Sequence, residues 1–182
     1  MFKAILSRRD LSLENEYYSC VRDLLSNRAV LSLKNFRHHI GTTRFQHSLN
    51  VSYYNFKLCK LLRLNAASAA RAGLLHDLFF YNRKDREKLM RSHSEEHAIT
   101  ALYNASEMFS INELEGDMII NHMWPMTRRL PRHPETYVIT LVDKFCAVAE
   151  VIVSALSFTR RKLKFASAFV IMLMLNIFSQ PH

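Results

Sequence analysis

Apolar residues recur at three- and four-residue steps along several stretches of this chain. That spacing predicts amphipathic helices rather than strands. The first stretch covers residues 12–26, with Ser12 as its candidate cap, and a short apolar stretch follows from Val30 to Phe36. Gly41-Thr42-Thr43 breaks the pattern and offers a new N-cap. A long helix is expected from Arg44 to Leu64, with Val51, Tyr54, Leu58 and Leu61 as its core-facing stripe and His47 one turn before Val51. Asn65 is the next candidate cap. The helix after it, Ala66 to Asp77, is built of alanines, Ser68 and Gly73, whose small side chains allow a close approach to a neighbour. His76 and Asp77 fall where this helix ends.

Tyr81 to Arg91 reads as a charged connector. A helix over 94–109 would carry Ala101, Ala105 and Met108 in line with His97. A further helix, capped by Asn112, would place Leu114, Met118 and His122 on one face until Pro125 ends it. Arg128 to Pro134 is a basic loop, and a long helix begins near Glu135 with Val138, Ile139, Leu141, Val142 and Asp143. Only three glycines and four prolines interrupt 182 residues, and neither a repeat nor a low-complexity tract occurs. The expectation is an all-α fold, a single domain spanning 1–182.

The C-terminal part adds a basic run, Arg160, Arg161, Lys162 and Lys164, and then an apolar segment over 165–178. As a helix that segment reaches roughly 21 Å at 1.5 Å per residue, short of a bilayer core of about 30 Å. No transmembrane span is expected. The segment reads as a closing helix packed on the bundle or on a second copy, with peripheral membrane contact as the alternative. Cys20, Cys59 and Cys146 form no C-x-x-C pair, and the N-terminus lacks the apolar core of a secretory signal. A cytoplasmic protein with free thiols is the expectation. The net charge of +9 favours anionic ligands without choosing among nucleotides, phosphorylated metabolites, nucleic acid and anionic membrane.

Six polar residues stand in these apolar surroundings: His47, His76, Asp77, His97, His122 and Asp143. Burying unpaired imidazoles and carboxylates is costly, and a bound metal removes the cost because both are good ligands. Six donors are too many for one tetrahedral ion and suit two. A dinuclear metalloenzyme is the reading that follows.

The stretches R-F-Q-H-S-L around His47, A-G-L-L-H-D around His76 and Asp77, and L-V-D-K around Asp143 occur in that order. In this the chain, from about Arg44 to Glu150, resembles the HD-domain metal-dependent phosphohydrolase superfamily. The resemblance implies an HD-domain-like helical bundle around a metal site. One ion would be held by His47, His76, Asp77 and Asp143, and the second by Asp77, His97 and His122, with His93 competing for the place of His97. Two divalent ions are implied, iron or manganese first, then zinc, cobalt, nickel or magnesium. The implied reaction is attack of a metal-bridged hydroxide on a small phosphorylated molecule, a nucleotide by preference.

Lys144 and Arg44 are the candidate catalytic cations beside Asp77. Arg128, Arg129 and Arg132, in the loop after His122, are candidate contacts for substrate phosphate. His38, His39 and His133 read as surface or supporting residues, and Cys146 as a core thiol. No Gly-Tyr-Pro segment of the kind usual in the cyclic-dinucleotide phosphodiesterases of the superfamily occurs. Two other readings stay open: a mixed-valent di-iron HD-domain oxygenase, which uses the same ligand order, and a basic RNA- or membrane-binding module with structural metal. The oligomeric state is left open.

Overall fold

A computed structural model describes the backbone of residues 11–38, 41–81 and 93–178, and the side chains of 12–38, 41–81 and 95–157. Among the described residues the chain forms seven α-helices and no strand: α1 (Leu11–Ser26), α2 (Arg28–Ser32), α3 (Arg44–Leu61), α4 (Ala66–Leu75), α5 (His93–Met108), α6 (Glu113–Asn121) and α7 (Pro134–Phe178). A short 3-10 turn, Leu33–Asn35, follows α2.

Local chemistry sets most of the helix starts. The side chains of Asn27, Thr43, Asn65 and Asn112 each accept a hydrogen bond from a backbone N–H in the first turn of α2, α3, α4 and α6. Each such cap contributes about 1 kcal/mol. Asn112 forms a reciprocal box with Glu115, whose carboxylate accepts the Asn112 N–H. Ser12 lies inside α1 rather than before it. Gly41, at φ +84°, turns the chain in the left-handed region ahead of α3. That turn is closed by the Arg37–Thr43 bridge and by the Arg44 N–H donating to the Phe36 carbonyl at 2.8 Å.

α3 is the central element and is buried nearly all round. This corrects the expected stripe: Val51 is buried, Tyr54 and Leu58 are half-buried, and Leu61 is 77% exposed. The helix instead buries Leu49, Phe56 and Cys59 together with Ser52 and Asn55. Those two polar residues face α4, where Ser52 Oγ donates to the Ala70 carbonyl at 2.6 Å and Asn55 Nδ2 to the Ala69 carbonyl at 2.9 Å. Buried polar groups are tolerated only when bonded in this way. The small residues of α4 permit the approach: a Cβ on Gly73 would lie 2.6 Å from the Ser52 Cα.

The remaining core is apolar, with Leu24, Val30, Leu33, Leu74, Leu75, Met118, Ile119 and Ile139 all buried. Each contributes on the order of 1.5–3 kcal/mol by leaving water. Met108, expected in line with His97, is 41% exposed, whereas Ala101 and Ala105 are buried as expected. Two expectations about the chain's ends change. α3 stops at Leu61, with Arg63 at φ 59° in the turn, and the separate closing helix is the far end of one 45-residue α7. The side chains of 165–178 and most of the 81–91 connector lie outside the described residues. Among the described residues no helix is long and apolar enough to cross a membrane.

Candidate metal centre

Five helices supply the six expected ligands, and the fold brings them together. His47 sits in the first turn of α3, and Asp143 faces it from α7 with Oδ1 2.9 Å from His47 Nε2. His76 caps the C-terminus of α4 and Asp77 follows it, while His97 comes from α5 and His122 caps the C-terminus of α6. His76 Nε2 lies 3.8 Å from Asp143 Oδ1 and 3.9 Å from Asp77 Oδ2. On the other side of Asp77, His97 Nε2 lies 3.6 Å from Oδ1 and 3.0 Å from His122 Nε2. Donors sharing one ion at about 2.1 Å bond length stand about 3.0–3.4 Å apart for octahedral or tetrahedral angles. The observed spacings are close to that range, and candidate ion-holding groups form around His47, His76 and Asp143 and around His76, Asp77 and His122.

The backbone fixes which nitrogen of each ring faces inward. A helix leaves its last carbonyls without intrahelical partners. His76 Nδ1 donates to one of these, Gly73 O, at 2.9 Å, and His122 Nδ1 does the same to Ile119 O at 2.8 Å. Each ring then turns a lone pair on Nε2 toward the centre, the usual orientation of a ligating histidine. His47 is oriented differently, because its Nδ1 lies 3.2 Å from both carboxylate oxygens of the buried Glu150. Glu150 Oε1 also accepts Asn50 Nδ2 at 2.6 Å, and Asn50 Oδ1 accepts Gln46 Nε2 at 2.9 Å. This carboxylate behind the histidine was not identified from the sequence, although its position seven residues after Asp143 places it on the same face of α7.

Electrostatics follow from burial among neighbours. Burial disfavours the charged form of His47, but the hydrogen bonds and charges of Asp143 and Glu150 outweigh it and raise the group to about 10. Burial and the neighbouring rings of His76 and His97 push His122 down to about 3, so it is neutral and its lone pair is available at physiological pH. Burial pushes the Asp77 carboxyl up, but the imidazoles of His76, His38, His97 and His122 hold it well below the usual range. Burial likewise opposes ionisation of Asp143, and the His47 hydrogen bond and charge hold it low. Two carboxylates and four imidazoles, with no thiolate, suit a hydrolytic or redox-active divalent ion better than a closed structural zinc site.

A cavity of about 330 Å³ opens above these ligands, within the size range of small-molecule sites. Phe79, Met123 and Met126 form apolar walls, and Arg37, Arg44 and Lys144 supply cations. Arg44 is buried, with Nη1 donating to the Phe79 carbonyl at 2.6 Å, Nη2 to the Tyr81 carbonyl at 3.2 Å, and its guanidinium stacked 3.5 Å from the Phe79 ring centre. It therefore clamps the segment that follows Asp77. Lys144 Nζ donates to the carbonyls of Trp124 and Thr140, at 3.1 and 3.2 Å. Burial lowers the Lys144 ammonium from its ordinary value, against the charge of Asp143.

The expected phosphate arginines lie elsewhere. Arg132 turns away, with Nε 3.2 Å from buried Asp117 and Nη1 3.3 Å from Glu113. Asp117 also accepts the Arg132 N–H, Thr136 Oγ1 and Asn121 Nδ2, which pins the loop between α6 and α7. Arg129 lines a different cavity, with Glu95 and Thr127, and Arg128 is exposed. Among the described residues none of the three lines the cavity over the ligands. The reason is local: the buried carboxylate of Asp117, five residues before His122, captures Arg132.

Of the two places the sequence allowed for His38, at the surface or supporting the site, the structure shows the second. Its ring stacks on His47 at 3.8 Å between centroids, and its Nδ1 lies 3.4 Å from Asp77 Oδ2. It also lines the cavity. The Gly41 turn makes this possible by folding residues before α3 back over its first turn. His93 and His39 lie outside the residues whose side chains are described, and half-buried His133 is not among the cavity-lining residues.

Because Glu150 holds the His47 ring, Glu150→Gln is expected to weaken metal binding about 10–100-fold while leaving the helical signal intact. Competitive metal titration against a chromophoric chelator measures this, and unchanged affinity would separate Glu150 from the ligand set.

A protein-family profile described as HD domain matches residues 44–148, more than half of the chain and the stretch that carries all six candidate ligands. No curated protein and no solved structure matches the chain. With the helical fold, the clustered histidines and aspartates and that match together, the chain belongs to the HD-domain superfamily of metal-dependent phosphohydrolases.

Proposed function

We propose that this protein hydrolyses a small phosphorylated molecule, a nucleotide by preference, using two divalent ions of which iron and manganese are the favoured pair. The observation that carries the reading is the convergence of four imidazole Nε2 atoms and two carboxylates at the floor of a cation-lined cavity. His47, His76, Asp77 and Asp143 would hold one ion, and Asp77, His97 and His122 the other. Such a pair supplies Lewis acidity toward water and toward phosphoryl oxygens at neutral pH.

The chain's own side chains complete the site. Lys144 and Arg37 offer positive charge to the phosphate at the wall and mouth of the cavity. Phe79, Met123 and Met126 offer apolar surface to the uncharged part of the substrate and exclude water from the ligand floor. Arg44 acts as a positioning residue, since its donors at Nη1 and Nη2 are spent on the carbonyls that fix the segment after Asp77. The surplus of positive charge favours approach of an anion. A cytoplasmic location agrees with the free thiols of Cys20, Cys59 and Cys146.

The test begins with elemental analysis of protein purified without chelator or a polyhistidine tag, followed by phosphate release from a panel of nucleotides and sugar phosphates. About two ions per chain and chelator-sensitive phosphate release support the reading. Oxygen uptake by the iron-loaded protein, without phosphate release, would make it an oxygenase instead. Absence of both activities, with salt-sensitive RNA binding, would favour the binding-module reading. His122→Ala is expected to keep one ion per chain and to lose about 10²–10³-fold in turnover. Two ions retained in that variant would overturn the ligand assignment.

A further inference from the structure

We propose that the outer face of α7 is a homodimer interface, on which a second copy of this chain packs. α7 turns Asp143, Lys144 and Glu150 toward the metal centre, so its other face carries residues with no catalytic use. On that face Leu141, Phe145, Val148, Ile152 and Leu156 recur at steps of four, three, four and four. The first three steps are those of a coiled-coil seam. These five, with Leu61 at the end of α3, are 52–77% exposed. No charged residue interrupts the row.

Area and shape decide the occupant. The six side chains present on the order of 700 Å² of apolar surface, more than the largest patch of about 300–600 Å² on a typical monomer and close to the roughly 800 Å² each partner buries in a standard interface. Beside the row lies a mostly apolar groove of about 590 Å³ between α3 and α7, lined by Leu58, Leu61, Leu141 and Phe145 and edged by Lys57 and Lys60. A two-fold interface must be self-complementary, and a groove next to a projecting row on one face meets that requirement. α7 is also the longest of the described helices. Its 45 residues span about 67 Å at 1.5 Å per residue, and Glu150 is its last buried residue among those described. An exposed apolar row gains cover from the same row of a second copy.

Sedimentation equilibrium of the full chain over a wide concentration range tests this. The expected mass is twice 21.3 kDa for the natural sequence. For Val148→Glu with Ile152→Glu the mass is expected to halve, with helical signal and metal content unchanged. If that pair loses its helical signal, Val148→Ser with Ile152→Ser adds no charge and reads the same mass. A monomer at tens of micromolar overturns the proposal, as does a dimer that survives folded variants. A monomer that floats with anionic phospholipid vesicles also overturns it and gives the face to a membrane.

Discussion

Replacing Asp77 with alanine is expected to strip both ions from the protein and to end turnover. Among the described residues Asp77 is the only carboxylate that stands between the two candidate ligand groups. One of its oxygens lies 3.9 Å from His76 Nε2 and the other 3.6 Å from His97 Nε2. Four imidazoles hold it ionised against its burial. Removing it leaves Asp143 as the one carboxylate of the proposed ligand set, so the mutual repulsion of two ions loses its main screen. Losing one preorganised charged group commonly costs 10²–10³-fold in rate, and losing the metal with it should exceed about 10³-fold. Elemental analysis gives the ion count, and circular dichroism checks that the helices remain. Two ions in a folded Asp77→Ala protein would be incompatible with a bridging role for this residue.

Gly73→Ala is expected to destabilise the protein by about 3 kcal/mol, although alanine favours an isolated helix by about 1 kcal/mol over glycine. The added Cβ would sit 2.6 Å from the Ser52 Cα and 2.9 Å from the Ser52 nitrogen, and backbone atoms cannot swing aside. α3 and α4 must then separate. That would strain the Ser52 and Asn55 bonds to the α4 carbonyls. The same displacement moves His47, on α3, away from His76 and Asp77, at the end of α4, so metal affinity falls with stability. A melting temperature lower by roughly 6–12 °C is expected for a chain of this size. Gly116→Ala is the control: its Cβ would meet nothing closer than Leu102 Cδ1 at 3.8 Å, so equal or slightly higher stability is expected there. A Gly73→Ala protein as stable as the natural one would mean that the two helices do not approach so closely.

The contrast between these glycines shows where sequence reading stops. The run of small residues from Ala66 to Gly73 announces a close helix approach, yet it does not say which residue touches backbone. The partner is Ser52, twenty-one residues earlier. Likewise the caps Asn27, Thr43, Asn65 and Asn112 act within a turn of themselves, and Thr43, Asn65 and Asn112 were legible because capping is local. α3 misled because a helix buried nearly all round has no single apolar stripe, so Leu58 and Leu61 looked central and are not.

By itself the sequence determined that the protein is helical, where most helices begin, and which histidines and aspartates form an ordered set of the HD-domain kind. Those properties reside in local spacing and in residue type, which folding does not alter. Only the tertiary structure decided how long flexible cations are used and what supports the ligands. Arg44 is drawn to the carbonyls of Phe79 and Tyr81, and Arg132 to Asp117, because a guanidinium takes the nearest well-placed acceptors. His38 reaches the centre because the Gly41 turn folds its segment back over α3, and Glu150 reaches His47 across 103 positions of sequence because α7 lies along α3. Contacts of that range depend on which helix faces meet, and the periodicity of a single helix does not encode its neighbour.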